Sequence, residues 1–132
     1  YAYQSLYVRN PEIYLKASLR APAVHALSKK LHTEKEIVEW IKNTIEYSPV
    51  FADYKDRILL ADQVIVFKKG MLKDQAMLAY SLLKLKGLEP VIKISREKVY
   101  VEVGNRIYDV QTWGVIESIQ DEIDTVVQYI HY

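Results

Sequence analysis

Apolar positions along this chain change their spacing partway through. The first third is helical in pattern. Pro11 to Leu19 fits a short helix, and Ala21-Pro22 breaks it before a second helix that runs to about Leu31. Thr33-Glu34-Lys35-Glu36 is a capping box, in which the Thr33 hydroxyl takes the Glu36 amide while Glu36 reaches back to the cap. Behind it Ile37, Trp40, Ile41, Thr44 and Ile45 recur at helical spacing and form one buried stripe, which Ser48-Pro49 ends. Phe51 to Leu60 reads as a connection. Ala61 to Lys68 is apolar and β-branched at its centre, so propensity alone allows a strand there.

Gly70 gives the chain freedom to turn before a long helix from about Leu72 to Lys86, with Gly87 at its C-terminal cap. Lys73, Met77, Ser81 and Lys84 mark the solvent side of that helix. Leucine and alanine cover the rest, which predicts a central, mostly buried element.

From Pro90 the period becomes two. Pro90–Ser95, Lys98–Val103 and Arg106–Gln111 read as strands, and Gly104-Asn105 is a two-residue hairpin turn with both residues at positive φ. An acidic, irregular or briefly helical stretch from Glu117 to Asp124 precedes a fourth strand over Thr125–Tyr132. Helices first and antiparallel strands after predict an α+β fold, with a central helix packed on an antiparallel sheet of three to four strands.

Composition narrows what such a domain does. The 132 residues are half hydrophobic and 27% charged, which suits one domain with a real core. No repeat or Gly/Ser linker divides residues 1–132. Lys and Arg number 18 against 17 Asp and Glu, so charge gives no case for nucleic acid. No apolar run approaches the roughly 20 residues that span a bilayer, no signal-peptide pattern is present, and the chain is expected to be soluble as supplied. It starts Tyr1-Ala2-Tyr3 and reads as an excised piece, either a domain cut from a longer protein or a mature chain whose leader is gone. Many Tyr, Ile, Val, Lys and Glu with few Gly point to a heat-adapted source. His25, His32 and His131 have no metal-ligand spacing, no phosphate loop follows a strand, and no cofactor is expected.

Cysteine is absent. That excludes disulfides and thiolate ligands, and it excludes any mechanism that needs a thiolate nucleophile.

Counting from the hairpin turn pairs Val103 with Arg106, Tyr100 with Asp109 and Lys98 with Gln111. Lys98, Tyr100, Glu102, Ile107, Asp109 and Gln111 then share one sheet face. If the start of the Leu72 helix packs on that face, positions 72, 98 and 109 converge.

These residues resemble the transglutaminase-like superfamily over about Ala21 to Trp113. Trp40 to Tyr47 is similar to that family's lead-in helix. Gly70-Met71-Leu72-Lys73-Asp74-Gln75-Ala76 resembles its Gly-x-Cys-x-Asp-x-Ala turn, and Leu82 to Val91 the end of the helix with its glycine. Lys98-Val99-Tyr100-Val101-Glu102-Val103 stands where the family has His-Ala-Trp-Val-Glu-Val, and Tyr108-Asp109 where its aspartate falls. The resemblance implies a papain-like core and favours a short helix at Ala61–Lys68.

It also implies that the vestigial triad is Leu72 at the nucleophile position, Lys98 at the general-base position and Asp109 as the retained orienting acid. Trp40, Asp74, Tyr100, Gln111 and Trp113 are expected to line the same cleft. Asp74, in a first helical turn, has the ready structural role of facing the positive dipole end. Lys98 with Asp109 reads as an ion pair in place of His–Asp, worth within about 1 kcal/mol if exposed.

A catalytically inactive protein- or peptide-binding or structural module is therefore the leading expectation. Hydrolase or transferase chemistry rebuilt on Lys98, Asp109, Tyr100 or Asp74 is the alternative. Nucleic-acid binding comes last, and homo-oligomerisation is left open.

Overall fold

The structure, a computed structural model, describes residues 19–47, 64–65 and 68–127. Pro11 to Ser18, Ser48-Pro49, the connection at Phe51–Leu60 and the end of the expected last strand lie outside them. Helix α1 (Pro22–Lys30) opens on a proline whose fixed φ suits a first helical turn, and it buries Val24, Leu27 and Ser28. In α2 (Glu34–Thr44) the Thr33 hydroxyl accepts the Glu36 N–H at 3.1 Å. The returning Glu36 carboxylate takes the N–H of His32 at 3.3 Å, one residue beyond the expected cap. Ile37, Ile41 and Ile45 are buried as the stripe predicts.

The chain then makes a short strand that the pattern did not signal. β1 (Glu46–Tyr47) pairs in parallel with β2 (Lys69–Gly70). Within the apolar segment before β2, Val64 and Ile65 are helical, and the Lys68 N–H donates to the Val64 carbonyl at 2.8 Å. Gly70 needs no left-handed backbone. Its small size matters instead, because a Cβ there would lie 3.1 Å from that of Asp74.

Helix α3 (Leu72–Leu85) is the central element. Its N-terminus is held by Asp74, whose Oδ2 accepts the Met71 N–H at 3.0 Å. Gly87, at φ +83, closes the other end in a Schellman motif, with Leu88 N–H to Leu83 O and Gly87 N–H to Lys84 O. The expected solvent side survives only at its ends, where Lys73 and Lys84 are half-buried: every residue from Asp74 to Leu83 is buried, Met77 and Ser81 included. Helices α1 and α2 cover one side of α3 and the sheet covers the other. Ser81 is accommodated because its hydroxyl donates back to the Met77 carbonyl at 2.9 Å.

The strands β3 (Val91–Ser95), β4 (Val99–Val103), β5 (Arg106–Asp109), β6 (Gly114–Ile116) and β7 (Ile123–Val127) form an antiparallel sheet in the order β6-β5-β4-β3-β7. The protein is thus α+β, with five strands in its main sheet among the described residues rather than three or four. The hairpin register is the predicted one, with Val103 opposite Arg106 and Tyr100 opposite Asp109. Only Gly104 takes positive φ, so the turn is of the II′ kind and Asn105 stays in the ordinary region.

β5 stops at Asp109, two residues early. A tight turn follows, with the Trp113 N–H donating to the Asp109 carbonyl at 2.6 Å. Trp113 takes φ +57 to make that turn, a left-handed conformation that costs a bulky side chain energy. The turn returns the chain as β6 along β5.

One ionic cluster joins the helical layer to this hairpin. The Glu34 carboxylate receives Arg106 Nε and Nη2, each at 2.5 Å, together with the Tyr108 hydroxyl. The Arg106 guanidinium holds the Glu34 carboxyl below its ordinary range, and the Tyr108 bond adds to the effect against the opposing influence of burial. Burial first, and then Glu34, pushes the Tyr108 phenol up to about 12.

Candidate functional site

Valines 99, 101 and 103 on β4, with Ile92, Ile94, Tyr108, Val110 and Val127, belong to the same buried core as α3. Side chains alternate across a strand. Tyr100, Glu102, Ile107 and Asp109 therefore lie on the other face, where Lys93 pairs with Glu102 at 2.7 Å. This corrects the expected packing: α3 covers the valine face, not the Tyr100–Asp109 face. The physical reason is plain, since a helix buried on every side demands an apolar partner, and the strand's charged face cannot supply one.

Convergence happens at the end of the sheet instead. The turn Ser95–Lys98 joins β3 to β4, with the Ser95 N–H donating to the Lys98 carbonyl at 2.8 Å and the Lys98 N–H to Ser95 Oγ at 3.0 Å. A cleft of about 470 Å³ opens between this turn and the start of α3. Met71, Leu72, Ile94 and Val99 give it apolar walls, and Tyr47, Lys73, Ser95, Arg96, Glu97, Lys98 and Asp124 complete it.

Leu72 and Lys98 thus face one space. Lys98 also reaches Asp109, its Nζ donating to Oδ2 at 3.3 Å, while Oδ1 of the same carboxylate accepts the Gln111 N–H at 3.0 Å. The lysine side chain is 42% exposed and the aspartate 12%. Asp109 is one step behind the cleft and does not line it.

None of the five other expected cleft residues borders this space. Trp40 is half-buried against the core. Asp74 is buried and caps α3, which is the structural role open to it from sequence. Gln111 is exposed. Tyr100 is buried on the outer face, where its hydroxyl donates to Asp121 Oδ2 at 2.9 Å. Burial first, and then Asp121, pushes that phenol up to about 12. Trp113 is buried, and its indole N–H donates to Gln75 Oε1 at 3.2 Å.

Three features escaped the sequence reading. Gln75, a lone amide in an apolar helix, also donates to the Gly70 carbonyl at 3.1 Å, so it ties the β5–β6 turn to the chain entering α3. The Ser95–Lys98 turn was readable as four polar residues between β-branched runs, but not its place beside Leu72. Asp121 accepts from both Tyr100 and Ser95 Oγ, the latter at 3.1 Å, and so pins the segment between β6 and β7 across the sheet.

Chemically, the cleft presents aliphatic walls, the Lys98 ammonium already engaged by a carboxylate, the charged side chains of Lys73, Arg96, Glu97 and Asp124, and Ser95. Ser95 is 3% exposed, and its hydroxyl donates to the Lys98 carbonyl and to Asp121 and accepts the Lys98 N–H. Among the described residues no cluster of three or more His, Asp or Glu side chains is arranged to hold a metal, and no helix is long and apolar enough to cross a membrane. Compared with protein-family models, curated proteins and solved structures, the chain matches none.

Proposed function

We propose that this chain is a transglutaminase-like domain whose catalytic chemistry is gone and whose cleft now serves protein or peptide binding, or a structural role in a larger protein. The observation that carries the reading is the content of the cleft. Leu72 opens α3 where the resemblance puts a nucleophile, and it faces Lys98, which is paired with Asp109 at 3.3 Å. An alkyl group has no lone pair, an ammonium's is taken up by its proton, and the Asp109 carboxylate stands behind the cleft, so none of the three replaces a thiolate there.

Incubation with amide, ester and glutamine–amine substrates tests it, and no turnover is expected. Turnover that Asp109→Ala abolishes would overturn the reading in favour of rebuilt chemistry. The double substitution Leu72→Cys with Lys98→His probes the ancestry separately. Thiol alkylation faster than that of a free cysteine peptide is the expected result, because an imidazole beside the new thiol raises its thiolate fraction.

A further inference from the structure

We infer that residues 117–122 form a strap latched across the outer face of the sheet by one carboxylate, that of Asp121, and that the same latch sets the turn walling the Leu72 cleft. Opening the strap then loosens the cleft wall. This coupling goes beyond the binding reading above and does not depend on it.

β6 ends at Ile116 and β7 starts at Ile123, on opposite margins of the sheet. Following the pairings, Ile116 is level with Ile107, Glu102 and Val91, whereas Ile123 is level with Ser95. The crossing is therefore diagonal, roughly 19 Å over four strand spacings and roughly 13 Å along the strands. Seven residue steps reach about 23–25 Å at full extension, so the strap has little slack. It passes over the outer face, because Glu117, Ile119 and Asp121 border the same cavity as Lys93, Glu102 and Ile107.

Among the described residues no backbone hydrogen bond joins residues 117–122 to the sheet. Gln120 donates to Ser118 within the strap itself. What fastens it is Asp121 Oδ2, which accepts the Tyr100 hydroxyl at 2.9 Å and Ser95 Oγ at 3.1 Å. Both donors are buried and Asp121 is exposed, so the strap is the side of the latch that can leave. Beneath it lies a cavity of about 500 Å³, lined by Ile107, Ile119, Ile123 and Val126 together with the Lys93–Glu102 ion pair, that opening the strap widens.

The latch reaches the cleft through Ser95. The Lys98 N–H donates to Ser95 Oγ at 3.0 Å, and the one proton of that hydroxyl is shared between the Lys98 carbonyl and Asp121, each at 3.1 Å. A carboxylate is the stronger acceptor, and a hydroxyl that donates to it accepts more strongly in turn. Asp121 thus tightens the turn at 95–98, which borders the cleft with Leu72. Ser95 also pairs with Ile123, where the strap ends, so a pull on a strap without slack arrives at the same residue. By reciprocity, whatever displaces that turn from the cleft side biases the strap.

NMR on the whole chain, with Asp121→Ala compared to wild type, tests the coupling. Backbone order parameters in 117–122 should fall below about 0.6, and Lys98 amide exchange should quicken about tenfold or more. The Leu72 and Val99 methyl resonances should shift, while the amides of residues 76–83 in α3 keep their exchange rates. In a Ser95→Ala background the same Asp121→Ala change should leave those methyls where they are, since the link is already cut. Tyr100→Phe keeps the ring and removes one of the two donors; it should loosen the strap to a smaller extent, and serves where Asp121→Ala does not fold. A strap that stays rigid in both variants would overturn the inference. So would unmoved methyls in Asp121→Ala, methyl shifts as large in the Ser95→Ala background, or exchange that quickens throughout α3 as much as at Lys98.

Discussion

Tyr108→Phe isolates one bond in the cluster that fastens α2 to the β4–β5 hairpin. The phenylalanine keeps the ring in the core and removes only the hydroxyl that donates to Glu34. Hydrogen bonds to charged groups contribute about 1.5–3 kcal/mol. Glu34 keeps 13% of its side chain exposed, so water partly replaces the lost donor, and about 1–1.5 kcal/mol is the expected destabilisation near neutral pH. For a chain of this size that lowers the midpoint of thermal unfolding by about 3–6 °C.

The pH dependence carries the stronger test. Glu34 is depressed in the folded state, so its contribution is present above its ordinary carboxylate value and is lost as pH falls through the folded one. Tyr108 is raised, so its contribution is complete below the ordinary phenol value of about 10 and is lost as pH rises through about 12. The stability gap between wild type and variant should therefore be widest on a plateau between those limits. It should narrow at both ends. Urea denaturation across that range, taken as the difference between the two proteins, cancels groups common to both. A gap that stays constant from strongly acid to strongly alkaline pH would refute the reasoning, because it would mean the hydroxyl acts without its charged partner.

Other substitutions test other joints. Gln75→Leu strands both the Gly70 carbonyl and the Trp113 indole N–H in a buried place, and should cost about 2–4 kcal/mol by urea denaturation, with a changed tryptophan emission. Gly87→Ala forces a Cβ into φ +83 with open space around it; strain alone should cost about 1–2 kcal/mol, and Asn at that position should recover part of it. Lys98→Met removes a half-exposed charge from Asp109 and should change stability by less than about 1 kcal/mol, measured by the same assay. A much larger loss would show that the pair holds the cleft's shape.

How far the sequence carried depends on the range of the forces involved. The α2 cap, the Schellman end of α3 and the hairpin register are local, and each was readable from a few neighbouring residues. The β7 strand was placed two residues late, because Ile123-Asp124 sits in an acidic run whose pairing with β3 is remote. β6 is too short to show a period. The packing signal for α3 lies in Val99, Val101 and Val103, whereas the resemblance points to the opposite face, that of Tyr100 and Asp109. The pattern of one helix cannot reveal that layers close over it from both sides, which is why Met77 and Ser81 read as a solvent side and are buried. The meeting of Leu72 with Lys98 did survive, at the end of the strands rather than on the expected face.

The path from β6 to β7 has a kinetic meaning. β3, β4, β5 and β6 are each joined to the next by a short connection and lie side by side, so they can zip up in sequence. β7 instead travels from one margin of the sheet to the other, past β5, β4 and β3, before it pairs with the far side of β3. Closing that longer loop carries the larger entropic cost, which the topology defers until the meander exists to receive it. The final strand is then the natural late arrival in assembly and the first to let go.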